Sequence, residues 1–208
     1  MTPFPERFTA ERLRFERLEG DAVDLFELHD ICSPDEETES ITQYMPWDPH
    51  RTLDQTAEFV EWCESGWEDG EHAAYLVRPR EGEDGAGEIA GVTRLECDWD
   101  RRTAMLELWL RERFWGRGYS GERAGALIHV AFEELGLDLV SVNHQDGNEL
   151  SRRAIEKYVD RFGGQYDGLL RNWGPRPAEG RVVDAHRYTI SREQYRTSSA
   201  DADVDVER

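Results

Sequence analysis

Lysine is almost absent. Lys157 is the single one among 25 basic residues, and the rest are arginine. Against them stand 45 aspartates and glutamates, for a net charge of -20 at pH 7. A surface of that sign repels phosphate backbones and anionic lipid, which argues against nucleic acid or a membrane as main partner and suits cationic substrates. Excess carboxylate with so little lysine also fits a salt-adapted, halophilic protein, because at ~1 M salt the Debye length is about 3 Å and self-repulsion is screened. Full folding in dilute buffer would count against that expectation. Cysteine is scarce as well. Cys32, Cys63 and Cys97 are odd in number and lack the close pairing of a redox or metal motif, which fits a reduced cytoplasmic setting. No apolar run approaches the ~20 residues that span a bilayer, and Met1-Thr2-Pro3-Phe4 does not open like a signal peptide. The six histidines show no HExxH or comparable spacing, so no metal site is expected.

What is present reads as one domain of 208 residues, large enough to bury roughly 70% of the surface of its unfolded chain. Residues 1–10 read as a flexible N-terminal arm, 11–196 as the folded domain and 197–208 as an acidic disordered tail. Leu13 to Leu18 alternates as a strand, and Asp21 is placed to cap a helix carrying Ala22, Leu25, Phe26 and Leu28. Residues 31–51 show no period. Thr52 or Asp54 starts a second helix with Phe59, Val60 and Trp62. Ala73–Val77, Ile89–Leu95 and Met105–Leu110 are strands joined by short Gly- and Asp-rich turns, which implies an antiparallel meander. In the last strand Leu106, Leu108 and Leu110 point one way, Glu107 and Trp109 the other. A long helix follows, with Ala124, Leu127, Ile128, Ala131, Phe132 and Leu135 on one face and Gly136 at its end. The strand Leu137–Val142 should lie parallel to the one before that helix. A helix starting at Asp146-Gly147-Asn148, with Ala154, Ile155 and Tyr158 inward, precedes two late strands, Gln165–Trp173 and Val182–Ile190.

Between the third strand and the long helix lies Trp115-Gly116-Arg117-Gly118-Tyr119-Ser120-Gly121. A helix N-terminus presents N–H groups with no intrahelical partner and the positive end of the macrodipole, and glycines let a phosphate approach them. Gly116, Gly118 and Gly121 also spell G-x-G-x-x-G, with Asp138 downstream, but the dinucleotide fingerprint requires a parallel strand opening a βαβ unit. Here the loop follows a meander. No G-K-[ST] is present for a Walker loop. Arg111, Arg113, Arg117 and Arg123 cluster about the loop, either to meet a phosphorylated cofactor or to pair with carboxylates such as Glu112 and Glu122.

From about Glu11 to Tyr195 the chain resembles the GNAT acetyltransferases, in particular the Rim-type branch named for N-terminal acetylation of ribosomal proteins. The carriers are Glu11-Arg12-Leu13-Arg14-Phe15 with Asp21-Ala22 and Leu25-Phe26, the W-G-x-G-Y-A-like loop at Trp115–Ser120, and an N-x-x-S…E-K pattern in Asn148, Ser151, Glu156 and Lys157. Trp115 stands where the wider superfamily has Gln or Arg, and Ser120, which could also cap the helix, where it has Gly or Ala. Val159-Asp160-Arg161 are inserted before Phe162-Gly163-Gly164. The resemblance implies an α/β GNAT fold: a mixed, mostly antiparallel sheet of about seven strands with flanking helices. It implies acetyl-CoA in the gap between two splayed central strands, Met105–Leu110 and Leu139–His144. Backbone groups of Leu108, Trp109 and Leu110 would meet the pantetheine arm, and N–H groups of Arg117, Gly118, Tyr119, Ser120 and Gly121 the pyrophosphate. Trp115, Gly116, Asn148 and Ser151 complete the cofactor set.

The implied reaction is direct attack of a primary amine, on a protein N-terminus or a small cationic molecule, in a ternary complex. The amine must be neutral to attack, and its usual pKa is about 8 for an α-amine and ~10.4 for lysine. Ser151 is the candidate acid for the leaving thiolate, carried over from the N-x-x-S motif; otherwise it is a first-turn residue bonding to backbone. Asn148 is a helix cap, a cofactor contact, or both. Glu107 and His144 are candidate bases. Trp47, Trp62, Trp67 and Trp99 are candidate acceptor-pocket walls or core. Alternatives are an acetyl-CoA-binding sensor without catalysis and, less well matched, a dinucleotide-dependent oxidoreductase. Monomer and homodimer remain open.

Overall fold

The computed structural model describes residues 2–176, 180–198 and 202–207. Its centre is the strand whose alternation is clearest, β5 (Thr103–Leu110). Around it one sheet forms from β1 (Arg7–Thr9), β2 (Leu13–Arg17), β3 (His72–Pro79), β4 (Gly91–Asp98), β6 (Leu139–Gln145), β7 (Gln165–Arg176), β8 (Arg181–Ser191) and β9 (Asp205–Val206). The order is β7-β8-β6-β5-β4-β3-β2-β1-β9. Every pairing is antiparallel except β5 with β6, the pair joined through a helix. That exception is what a strand–helix–strand connection imposes.

Helices cover both faces. α4 (Tyr119–His129) and α5 (Glu149–Arg161) pack on one side, where Leu106, Leu110, Ala124, Leu127, Ile128, Ile155 and Tyr158 share a core. α1 (Leu25–Cys32) and α3 (Leu53–Asp69) pack on the other, with Leu28, Cys32, Val60, Cys63, Leu76 and Trp109. The alternation of β5 thus feeds two cores. The remaining helices are α2 (Glu36–Thr42) and α6 (Arg192–Thr197). Among the described residues no helix is long and apolar enough to cross a membrane, and no cluster of metal-ligating side chains occurs.

The sheet has nine strands rather than about seven, because both ends of the chain join it. The expected arm is held by Phe4 and Phe8, both buried; Phe8 stacks on Phe15 with centroids 4.6 Å apart and meets Tyr75 edge-on at 5.0 Å. At the other end β9 pairs with β1, and Val204 and Val206 pack against the core. These valines alternate with Asp203 and Asp205, a period of two that the acidic composition hides. Residues 199–201 and 208 of the expected tail lie outside the described residues.

Two helix expectations change. Asp24, not Asp21, caps α1, accepting from the Phe26 and Glu27 backbone at 2.9 and 3.3 Å, and Phe26 is exposed. α2 lies in the stretch without a period because two of the residues it buries, Thr38 and Thr42, are threonines. Thr42 Oγ1 donates to the Thr38 carbonyl at 2.9 Å, which removes the cost of burying it. Val159 to Arg161 form the last residues of α5, and Val159 and Phe162 are buried. Thr52 caps α3, and α4 runs through a π turn at Val130–Glu134 to Gly136 in a left-handed conformation.

Candidate functional site

β5 and β6 pair in register only from Thr103/Leu139 to Leu106/Val142. Beyond that the strands part, although β5 continues to Leu110 and β6 to Gln145. The facing edges of Glu107–Leu110 and Asn143–Gln145 are therefore free of each other. The gap opens into a cleft of about 880 Å³ lined from β5, the glycine loop, α4, β6, α5 and the segment Ser40–Pro46.

The loop is fixed from outside, which leaves its backbone open on the cleft side. After a short 3-10 turn at Glu112–Phe114, the Trp115 indole donates to the Leu110 carbonyl at 2.8 Å and ties the loop to its strand. Arg12, just before β2, donates to the Arg117 carbonyl at 3.0 Å and to Glu122 at 2.8 Å. Tyr119 donates to Glu83 at 2.8 Å. Gly116 and Gly118 have φ of 74° and 82°, the left-handed conformation that favours glycine. Gly118 is the N-cap of α4 and supplies no side-chain cap. Ser120, expected as a possible cap, sits inside the first turn. The backbone N–H groups of Gly116 to Ser120 make no hydrogen bond to a described residue, whereas those of Gly121 and Glu122 donate to the Gly118 carbonyl at 3.1 and 3.2 Å. Successive free N–H groups at a helix N-terminus form a concavity suited to an anion. Gly121 is thus the one residue of the expected phosphate set whose N–H is already used. Asp138, the acid that would read a ribose in the dinucleotide alternative, is paired with Arg102.

The rest of the expected site lines the same cleft. Asn148 is the N-cap of α5, its Oδ1 accepting from the Ser151 backbone at 3.1 Å. Ser151 Oγ hydrogen-bonds to no described residue, so it is not spent on the backbone. His144 Nδ1 lies 3.0 Å from the Gln145 carbonyl. A carbonyl only accepts, so Nδ1 carries the proton and Nε2 the lone pair. Nε2 is buried with no partner. Burial pulls the His144 imidazole below its usual range; neighbouring His186 and Arg152 add to that, and the Gln145 carbonyl and Glu156 oppose it. The His186 ring stacks on His144 at 4.9 Å and is held by Tyr166 at 2.9 Å and Asp146 at 3.2 Å. Glu107 is less available. Its Oε2 accepts from Arg94 Nε at 2.8 Å and also from Nη2, and that guanidinium lies 4.7 Å from the Trp62 ring.

None of Trp47, Trp62, Trp67 and Trp99 lines the cleft; Trp109, Trp115 and Trp173 do. Trp47 backs onto Trp109 at 5.8 Å, and Trp67 is core. Trp173 escaped sequence reading because a bulge aims it. Arg171, Asn172 and Trp173 stand against Asp184 alone in β8. Asp184 accepts from the Asn172 backbone at 2.8 Å and from Arg171 at 3.2 Å, and Asn172 has φ of 50°. On the facing rim Tyr44 donates to the Gly147 carbonyl at 3.3 Å.

A parted parallel strand pair with an anion-ready loop at its end is the architecture of an acyl-CoA-type transferase. The relatives agree. Residues 12–158 match the model of the acetyltransferase (GNAT) domain, and the chain belongs to that family. An FsC-acetyl coenzyme A-N(2)-transacetylase of Aspergillus fumigatus is 36% identical over 115 residues, 51% of this chain and 45% of that protein. The chain thus spans less than half the length of that curated relative. A GCN5-related N-acetyltransferase from Brucella melitensis shares the fold with a TM-score of 0.74 at 21% identity, over 94% of this chain and 83% of the other. A spermidine N-acetyltransferase from Vibrio cholerae, solved with CoA and spermine, does so with a TM-score of 0.69 at 19% identity, over 89% and 99%.

Proposed function

We propose that this protein is an N-acetyltransferase that moves the acetyl group of acetyl-CoA to a primary amine, on a protein N-terminus as in the Rim-type branch or on a small cationic molecule. One observation carries the reading: an unpaired strand edge, five consecutive free N–H groups and the His144 side chain come together at a single cleft. The N–H groups of Gly116–Ser120 hold the pyrophosphate of the donor. The free edge of Leu108–Leu110 pairs with the pantetheine amides and offers an N–H to the carbonyl oxygen as it turns into an oxyanion. An amine arrives as ammonium, its form in water below its own pKa. His144 Nε2 takes one proton, the nitrogen attacks the thioester carbon, and the C–S bond breaks. Ser151 Oγ donates its proton to the departing thiolate and takes up in turn the second proton that the nitrogen sheds as the amide forms. Glu107, held by Arg94, shapes the acceptor end with Trp109 and Trp173 rather than taking the proton.

Mass spectrometry of a panel of peptides and polyamines, incubated with acetyl-CoA at high salt, tests the reading; polyamines belong in it because the Vibrio neighbour was solved with spermine. Acetylated product on a primary amine is the expected result. CoA binding without product on any amine would favour the sensor, and NAD(P)H binding in place of CoA the oxidoreductase.

His144→Gln should lower kcat by about 100-fold, the lower end of what a positioned base contributes. Burial depresses the pKa of His144, so the imidazole is neutral and competent above it, and kcat falls only as pH drops below the ordinary imidazole range. The variant should lose that acid limb. A wild-type-like profile in His144→Gln would remove the histidine from proton transfer.

A further inference from the structure

Three of the four arginines around the loop are paired with carboxylates. Arg111 lies 3.9 Å from Glu37 and 3.7 Å from Glu88, Arg113 2.6 Å from Glu88, and Arg117 2.8 Å from Asp84. Their guanidiniums also ring the buried Phe114 side chain at 4.9 to 6.0 Å. Arg123 is different. It is 3% exposed, its Nε and Nη1 are buried with no hydrogen-bond partner, and among the described residues no carboxylate forms an ion pair with it. Facing it from α5 is the buried Tyr158 hydroxyl, a neutral group that lies against the guanidinium but brings no counter-charge. The two are close enough that the Arg123 charge opposes the burial that pushes Tyr158 up to about 12. Both side chains line the cleft.

A desolvated guanidinium without a counter-charge destabilises the empty protein. In a chain with 45 acidic residues, the absence of a carboxylate here is a feature to explain, and an anionic ligand explains it. Side chains on a helix lean toward its N-terminus, so Arg123, one turn into α4, reaches back toward the loop. We propose that Arg123, with Tyr158 beside it, is a second anion contact of the cleft, taking a phosphate oxygen of the coenzyme in addition to the Gly116–Ser120 N–H groups. The inference rests on the acetyl-CoA reading above. Pyrophosphate and ribose 3′-phosphate share this chemistry, and the ligands of the test separate them.

Calorimetry at high salt would compare wild type, Arg123→Met and Arg123→Lys against CoA, 3′-dephospho-CoA and pantetheine. Arg123→Met should weaken CoA about 10- to 100-fold, the range of a charge-assisted hydrogen bond. Arg123→Lys should recover part of the loss. An equal loss for 3′-dephospho-CoA assigns the contact to the pyrophosphate, and a loss for CoA alone to the 3′-phosphate; pantetheine should bind both proteins alike. The ligand-free Arg123→Met protein should melt no lower than wild type, since it sheds an uncompensated charge, while the rise in melting temperature with CoA shrinks. Unchanged CoA affinity, or an equal loss for pantetheine, overturns the inference. Wild type failing to bind CoA would instead sink the acetyl-CoA reading and this inference with it.

Discussion

Ser151→Ala is expected to lower kcat about 100-fold while leaving acetyl-CoA affinity nearly unchanged, the effect of removing one donor aimed at developing charge. The backbone position of Ser151 is set by the Asn148 cap, which uses its N–H and not its hydroxyl. Alanine is also the better helix former, so the substitution should not cost folding. Because Ser151 Oγ hydrogen-bonds to no described residue, nothing structural is lost with it. What is lost is a donor on the cleft wall where β6 leads into α5, near His144. A thiolate leaves without a full proton more readily than an alkoxide would, since the reference thiol pKa is about 8.5, so the loss should sit near the lower end of the range for a general acid. Steady-state kcat with an acetylated amine, alongside calorimetry with acetyl-CoA, decides the matter. Unchanged turnover would leave Ser151 a first-turn helix residue and nothing more.

The centre of the molecule was legible because period and punctuation agree there. Leu106, Leu108 and Leu110 alternate, Gly116 and Gly118 interrupt, and Ala124, Leu127 and Ile128 resume at helical spacing. Each of these signals is local, and each survived folding. The parts that were missed are those whose meaning depends on a distant partner. β1 and β9 are three and two residues long, too short for a period, and exist because they pair with each other and with β2. The pairing of Arg117 with Asp84 spans a separation of 33 residues, and that of Arg113 with Glu88 spans 25. Sequence could raise the choice between a phosphate patch and ion pairs but could not divide the four arginines between the two. The partner of Glu107 was likewise hidden until the β4–β5 register set it opposite Arg94. Trp173 depends on a bulge whose anchor, Asp184, lies on the next strand.

Gly118→Val should leave the protein folded and weaken CoA binding by about 100-fold, the worth of one to two charge-assisted hydrogen bonds. Gly118 has φ of 82°, where an L side chain costs roughly 1–2 kcal/mol. An added Cβ would lie 3.4 Å from Arg12 Nη2, an ordinary contact with the end of a flexible side chain, so sterics alone do not unfold the loop. The conformational penalty is relieved by rotating Gly118 toward negative φ. That rotation turns the N–H groups of Gly118, Tyr119 and Ser120 away from one another, and the array that faces the cleft is lost. A branched side chain at the mouth of the helix also occupies space that a phosphate needs. Gly118→Ala should show the same trend more weakly, because its single methyl adds strain but little bulk. Pantetheine, which lacks the phosphates, should bind Gly118→Val nearly as well as wild type. Calorimetry with CoA and pantetheine on the three proteins separates loss of the phosphate contact from general damage to the cleft. Equal CoA affinity in wild type and Gly118→Val would show that the free N–H groups of this loop are not where the coenzyme's phosphates sit.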